Sequence, residues 1–403
     1  MNAASPGPAA IFQRMAARLR TLDGLIYFDI TSLREINWTG IPVVAAGFAR
    51  ALLDALPGQI RFFDGYDVIN PHAVEDALHR KTGLFLDRDV LQGYAVAGKL
   101  PVFGEGGLSI GFFPSVKRVR RAFDVELSVS HDLSTITMPW MHVRRNVVHH
   151  MEAVLADLAS DDLVVAVSEA SRADLIAYLG AEPARTVTAP NGVAWPDWFE
   201  TEAINAAGPM GAEPYFLVLG TREPRKNIMK VFDLLEAAPG LLDRHRFVFA
   251  GMMGWLEEQH ALPRSLEPFV ANGRILFPGF VSELEKYALL RHARATLYPS
   301  LFEGFGLPVL ESLSVGTPCV ASWSSSIPEV GGECCFYFDP LSVPDFERAI
   351  GALLAKSGPA LRAACRAHAA QFTWGRSLGV ILERLLGVPG LAPPGGRRRG
   401  GRE

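Results

Sequence analysis

The chain has 403 residues, 49% of them hydrophobic and 20% charged, with a formal net charge of −4. That length exceeds what one core sustains and implies two domains. The charge balance excludes the broad basic surface of a nucleic-acid binder, and no run approaches the ~18 apolar residues of a membrane span.

The N-terminus lacks the apolar core of a signal peptide. Ile11 to Leu19, with Arg14, Arg18 and Arg20, reads as a short amphipathic helix. Strands are predicted at Leu25–Ile30, Gln59–Phe63, Glu126–Ser130, Leu163–Val167 and Thr186–Ala189. In the second half they are predicted at Tyr215–Leu219, Arg246–Ala250, Arg274–Phe277, Ala295–Tyr298, Pro318–Ala321 and Cys335–Phe338. Near-continuous apolar strands separated by helix-length segments predict an α/β fold with parallel sheets covered on both faces. Thr201–Pro214, rich in Ala and Gly, is the expected linker. Two α/β halves imply a cleft with ligand sites at the C-terminal ends of strands. Residues 65–124 hold eight glycines and few periodic runs. They read either as an irregular acceptor-side insertion or as several short strands and helices. The tail, Gly395 to Glu403, is too polar and glycine-rich to fold, and its arginines offer at most weak, salt-sensitive attraction to anionic lipid.

Candidate chemistry falls at strand ends. The Thr39-Gly40-Ile41-Pro42 turn follows the first strand, where a loop can approach a ligand closely. His131 ends a buried strand and is placed to hydrogen-bond a sugar hydroxyl or an acceptor, with Asp132 beside it to orient it. Ser168-Glu169 resembles a helix N-cap followed by an acid. Pro190-Asn191-Gly192-Val193 is a turn. His149 and His150 have no metal-ligand spacing, and neither do Cys319, Cys334, Cys335 and Cys365, which read as reduced core thiols of a cytosolic protein.

In the second half, the segment from Tyr215 through Gly220 to Asn227 reads as strand, turn and helix start. Arg225 and Lys226 sit where a ligand meets the strand end, and two fixed cations can neutralise a diphosphate without a metal. Arg222 is a third candidate. The alternative is a pair of surface cations at a helix start, where the dipole disfavours them. The turns around Gly251–Trp255 and at Gly279-Phe280-Val281 are suited to holding a flat base.

The segment Pro299-Ser-Leu-Phe-Glu303-Gly304-Phe305-Gly306-Leu307-Pro308-Val-Leu-Glu311 is the most informative. It reads as strand end, glycine turn and helix N-terminus, and the exposed amides and dipole of such a terminus attract phosphate. Its two carboxylates are eight residues apart, roughly 12 Å if helical at about 1.5 Å per residue. That exceeds the ~5–9.5 Å of a glycosidase acid/base pair. Glu303 and Glu311 therefore suit opposite ends of one long ligand, with its phosphates between them.

These residues resemble a known family. The Glu303-x7-Glu311 spacing, GTREPRKN at 220–227, AGMMGW at 250–255, FPGFVS at 277–282, SHDLS at 130–134, VSEASRADL at 167–175, PNGV at 190–193, GTPCVAS and SIPEVGG are similar to GT-B retaining glycosyltransferases of family 4. The bacterial mannosyltransferase-like members of the glycosyl transferases group 1 are nearest. The likeness covers about 125 to 385 well, 25–50 loosely and 65–124 hardly at all. It implies two Rossmann-like domains facing each other across a cleft. These are an acceptor-side domain at 1–205, a nucleotide-sugar domain at 206–372, a helix at 373–390 crossing back to the first domain, and a disordered basic tail at 391–403.

The resemblance also implies roles. Glu303 contacts the donor sugar and, with His131, forms the catalytic pair. Glu311 takes the ribose hydroxyls. Arg225 and Lys226 hold the diphosphate, helped by the amides around Gly304, Phe305, Gly306 and Leu307, while Gly220, Phe280 and Val281 line the donor site and Gly40 and Asp132 the acceptor side. The implied donor is a GDP- or UDP-hexose and the acceptor a polysaccharide or lipid-linked glycan. No metal, cofactor or nucleic acid is expected, and the expected location is cytoplasmic with weak peripheral contact at the inner membrane face. The family's glycine loop usually has a clearer Gly-x-Gly pattern than Thr39–Pro42.

Rival readings each have a discriminator. Asp87-Arg-Asp89 is a D-x-D string, and a manganese requirement would favour a GT-A transferase. Free epimerised sugar nucleotide made without acceptor would identify an epimerase of the same architecture. Nucleotide-sugar binding without turnover would indicate a catalytically silent binding protein. A nicotinamide dehydrogenase is disfavoured, because no G-x-G-x-x-G follows an early strand.

Overall fold

The structure is a computed structural model that describes residues 7–35, 38–80, 96–100, 107–205, 213–254 and 261–391. It divides into two units. Met1–His131, His149–Gly192 and Thr373–Glu403 form the first, and Asp132–Val148 with Val193–Phe372 the second. The expected division at 205/206 thus lies instead at 192/193, and Asp132–Val148 groups with the second unit. The string Asp87–Asp89, Trp255 and the tail from 392 lie outside the described residues.

The sheet of the first unit holds β1 (Leu25–Asp29), β2 (Ile60–Asp64), β3 (Asp67–Ile69), β4 (Val96–Lys99), β5 (Ser109–Phe113), β6 (Val125–Ser130), β7 (Leu163–Ala166) and β8 (Thr186–Thr188). Their order is β4-β3-β2-β1-β5-β6-β7-β8. β1 pairs in parallel with β2 and β5, and this register lines up Phe28 with Phe62 and Phe112, all fully buried. Their rings meet edge to face, at 6.2 and 5.1 Å between centroids.

Two features correct the sequence reading. β3 and β4 run antiparallel to their neighbours, so this sheet is not wholly parallel. Asp64 pairs with Asp67 across a Gly65-Tyr66 turn, and two residues suffice for a hairpin but not for a parallel crossover. The second is β5, a fully buried strand within residues 65–124, which decides between the two readings of that span in favour of several short strands and helices. Gly111 interrupts its apolar pattern because the Phe123 ring occupies the place of a side chain there, with a Cβ falling 2.3 Å from Phe123 Cδ2.

The N-terminal helix Pro8–Thr21 is amphipathic, as expected, and buries Ile11, Met15 and Leu19. It packs on the helix Trp374–Leu386 of the same unit, and Arg18 Nε donates to Leu391 O at 2.8 Å. Trp374 adds its ring to this core, 5.2 Å from that of Phe48. Ser168 caps the helix Glu169–Leu179 as predicted, its Oγ accepting from Ser171 N at 3.0 Å.

The second unit is a wholly parallel six-stranded sheet of β9 (Tyr215–Leu219), β10 (Arg246–Ala250), β11 (Ile275–Gly279), β12 (Ala295–Tyr298), β13 (Cys319–Ser322) and β14 (Cys335–Phe338). The order is β11-β10-β9-β12-β13-β14, so the strand sequence reverses between β9 and β12. Phe216, Phe247, Leu297 and Val320 face one buried layer, and Tyr215, Leu217, Val248 and Leu290 the other. The expected linker is in part structured: Trp198–Asn205 is a helix whose Phe199 packs on Tyr287. A sheet of this order leaves a crevice beyond the carboxyl ends of its two innermost strands.

Candidate active site

The loops leaving β9, β10 and β11 are tied together. Gly220 N donates to Ala250 O at 2.9 Å and Gly251 N to Gly279 O at 2.8 Å. Gly251 must be glycine twice over: its φ is +143°, and a Cβ would lie 2.0 Å from Gly220 O. Arg222 N donates to Met252 O and Gly254 N to Arg222 O, both at 2.9 Å. Phe280 is about half exposed beyond β11, and Val281 packs on the second buried layer.

Arg225 and Lys226 lie in a separate 3₁₀ turn, Pro224–Lys226, ahead of the helix Met229–Ala237. They are therefore not the start of that helix, and its dipole is not what opposes them. Asn227 anchors the turn with φ +53°, its Nδ2 donating to Pro299 O (3.1 Å) and Pro340 O (3.0 Å). Leu301 N donates to Arg225 O at 2.9 Å. These bonds join the loop after β9 to the loop after β12, across the point where strand order reverses.

Glu303 is where the two loops meet chemically. Its Oε2 lies 2.9 Å from Arg225 Nη1 and its Oε1 2.7 Å from Lys226 Nζ. Arg225 also donates to Phe302 O at 3.1 Å and pairs with Glu223 Oε1 at 2.7 Å. Lys226 Nζ donates to Tyr298 Oη at 3.1 Å. The side chains are largely withdrawn from water: 8% exposed for Glu303, 16% for Arg225 and 18% for Lys226. Burial would raise the Glu303 pKa, but Arg225 and Lys226 outweigh it and hold the carboxyl at about 2. Glu303 is thus a fixed anion at neutral pH, unfit as a proton donor. Burial pushes Glu223 up, against the pull of Arg225. For Arg225, Glu303 and Glu223 overcome desolvation and raise it above its ordinary range.

The Glu303 carbonyl accepts from Ser325 Oγ (2.6 Å) and Ser326 Oγ (2.8 Å), and Ser324 Oγ holds Leu301 O at 2.6 Å. Gly304, Phe305 and Gly306 are buried, and the Phe305 ring meets that of Phe372 edge to face at 6.1 Å. Gly306, with φ +101° and ψ +46°, turns the chain into the helix Leu307–Ser314, with Pro308 in its first turn. Val309 N and Leu310 N both donate to Gly306 O, at 3.0 and 3.2 Å, and Pro308 has no N–H, so Leu307 N is the first-turn amide left to meet an anion.

Glu311, inside that helix, belongs to a second charge cluster. Its Oε1 lies 2.7 Å from Lys286 Nζ, which also sits 2.7 Å from Glu283 Oε1 and 5.2 Å from the centre of the Trp195 ring. Glu303 and Glu311 thus face different cations. Burial would lower the Lys286 pKa, but Glu311 and Glu283 raise it above the ordinary lysine range.

In the first unit, His131 follows β6 and its Nε2 lies 2.8 Å from Pro114 O, so Nε2 carries the proton and is not the edge that meets a ligand. Asp132, which groups with the second unit, accepts at Oδ1 from Ser134 N (2.9 Å) and Oγ (2.7 Å) ahead of the short helix Ser134–Thr137. Gly40 (φ +61°) precedes the helix Ile41–Ala55 and is exposed.

Sequence reasoning missed Glu223, Lys286, Tyr298 and the serines 324–326. An acid two positions before Arg225 was a usable signal for Glu223; Lys286 offered none. Among the described residues, no group of three or more His, Cys, Asp or Glu is suited to hold a metal ion. No described helix is long and apolar enough to cross a membrane.

Residues 200–372 match the family described as Glycosyl transferases group 1. Over 221 residues the chain is 32% identical to the O-antigen chain mannosyltransferase B of Escherichia coli, covering 53% of this chain and 57% of that protein. It is 27% identical over 244 residues to the serotype-specific mannosyltransferase WbdA of Escherichia coli, covering 58% of this chain and 30% of the relative. The match thus spans less than two thirds of either relative's length. Among solved structures, sucrose-phosphate synthase from Thermosynechococcus elongatus superposes with a TM-score of 0.64 at 17% identity, over 90% of this chain and 99% of that one. The fold is GT-B, and the likeness to group 1 glycosyltransferases read from the motifs is borne out.

Proposed function

We propose that the chain is a retaining glycosyltransferase that moves a hexose from a nucleoside-diphosphate sugar to a polysaccharide or lipid-linked glycan, without a metal ion. Mannose is the favoured sugar, because the two relatives matched over 221 and 244 residues are named mannosyltransferases. The single observation that carries the reading is the meeting of Arg225, Lys226 and Glu303 where strand order reverses between β9 and β12.

Arg225 and Lys226 bind the diphosphate and neutralise the charge that grows on the leaving β-phosphate. The amides around Gly306 and Leu307 share that charge. Glu303, ionised throughout, accepts from hydroxyls of the donor sugar and fixes the ring. Glu311 accepts from the ribose hydroxyls. The bond from sugar C1 to the β-phosphate oxygen breaks while the acceptor hydroxyl oxygen bonds to C1 on the same face. The hydroxyl proton passes to the departing phosphate oxygen, so no side-chain acid is required.

The test incubates the purified chain with GDP-mannose, or with UDP- and ADP-sugars, plus a mannose-containing oligosaccharide in EDTA, and reads the product anomer by NMR. An α-linked product from an α-linked donor, unaffected by EDTA, is expected. Turnover that needs manganese, or an inverted product, would sink the proposal. Epimerised donor formed without acceptor would replace it with an epimerase.

A further inference from the structure

Lys286 is an improbable lysine. It lies in the first turn of the helix Glu283–His292, where the dipole repels a cation. That turn is pinned by a capping box: Ser282 N donates to Glu285 Oε2 at 2.8 Å and Glu285 N to Ser282 Oγ at 3.3 Å. The Lys286 side chain is only 13% exposed.

Each direction of its ammonium is occupied. Glu283 Oε1 and Glu311 Oε1 each lie 2.7 Å away, and the Trp195 ring closes the third side at 5.2 Å. Trp195 is itself tied to the same helix as Glu311. Its Nε1 donates to Ser314 Oγ at 2.8 Å, and Ser314 Oγ donates to Glu311 O at 2.7 Å. The ring stands edge-on to Tyr287, 5.2 Å between centroids. Carboxylate and backbone of Glu311 are thereby held from one side by a single assembly.

A buried ion pair of this kind contributes little net stability, because desolvation offsets the attraction. What it does provide is a carboxylate held in one place beside a fixed cation. Such a carboxylate recognises a vicinal diol, since a fixed anion can accept from two adjacent hydroxyls at once. We propose that Lys286, backed by Glu283 and Trp195, is a positioning residue that aims Glu311 at the 2′,3′-diol of the donor's ribose and so sets the preference for ribonucleotides. This rests on the donor reading given above for Glu311.

The experiment titrates the full chain with GDP, UDP and their 2′,3′-dideoxy counterparts by calorimetry. Wild type is expected to prefer the ribonucleotide. Lys286→Met should weaken ribonucleotide binding about 10-fold or more, the loss of a hydrogen bond to a charged group, while leaving the dideoxy affinity unchanged. Lys286→Arg should recover most of the preference. Glu311→Gln, which keeps Lys286 in place, should lose it as well, and circular dichroism confirms that each variant is folded. A ribose preference undiminished in folded Lys286→Met, or equal weakening of both nucleotides, overturns the role of Lys286 and leaves the donor reading intact. A wild type that binds neither GDP nor UDP sinks the donor reading and this inference with it.

Discussion

Lys226 Nζ and Glu303 Oε1 lie 2.7 Å apart although 77 residues separate them in the chain. The same carboxylate takes Arg225 at 2.9 Å. The cations assigned to the diphosphate are therefore already paired with an internal anion. A phosphate entering the site must share or displace that carboxylate, so Glu303 and the diphosphate draw on the same positive charge.

Replacing Glu303 by Gln keeps the shape and removes the competitor. Affinity for the nucleoside diphosphate is expected to stay level or rise, while transfer falls 10- to 100-fold, the worth of about 1.5–3 kcal/mol in a charge-assisted contact. Calorimetry and a product assay measure the two separately. Parallel loss of binding and turnover would show that Glu303 serves the nucleotide and not the sugar.

Lys226→Ala removes one of two cations and leaves Glu303 with Arg225. Transfer is expected to drop at least about 10-fold for the lost charge-assisted contact. The loss should appear in kcat as well as KM, because charge accumulates on the phosphate as the bond breaks. Wild-type turnover in this variant would remove Lys226 from the diphosphate role.

The strands of the second unit were legible because parallel strands buried on both faces are uninterrupted apolar runs. Tyr215–Leu219, Arg246–Ala250, Ala295–Tyr298 and Cys335–Phe338 occur with the bounds read from the sequence. β5 was hidden by Gly111, which serves Phe123 rather than its own strand. β3 and β4 are too short, and β4 too exposed, to carry an apolar signal. At the site, Glu303, Arg225 and Lys226 stood out because they lie in loops that follow strand ends, and Glu311 because it sits in the helix that the Gly306 turn starts. Lys286 did not, because in Glu283-Leu-Glu-Lys286 it reads as one more solvated helix charge. Its partner Glu311 is 25 residues away, and only the packing of two helices brings them together.

The cysteines read correctly as core residues, and their surroundings predict that they are inert. Cys319, Cys334, Cys335 and Cys365 are all buried and unbridged. Cys319 and Cys335 are register partners on adjacent strands, and that neighbour together with burial raises the Cys335 thiol well above its usual range. Burial raises Cys334 as well. Thiolate, the reactive form, is suppressed. The folded protein is expected to show no reaction with Ellman's reagent over minutes, and all four thiols should react after unfolding in guanidinium. Rapid labelling of any cysteine in the folded state would contradict the packing around β13 and β14.

The first unit holds a buried ammonium shared by two carboxylates. Lys117 Nζ lies 2.6 Å from Glu126 Oε2 and 2.7 Å from Asp161 Oδ1, and none of the three side chains is more than 2% exposed. Asp161 also accepts from Ser128 Oγ at 2.6 Å. One ammonium cannot neutralise both acids. Burial raises the Asp161 pKa from 3.8 to about 7, against the pull of Lys117. The folded state therefore holds a proton that the unfolded chain releases near pH 4, and stability from this group falls as pH rises from about 4 to about 7. At ~1.4 kcal/mol per pKa unit the whole effect is on the order of a few kcal/mol. Asp161→Asn fixes the neutral form, so its stability relative to wild type should increase from pH 4 to about pH 7 and level off by pH 8. Denaturant unfolding across that range measures the difference, and a flat difference would mean that Asp161 is ionised throughout and balanced by Lys117.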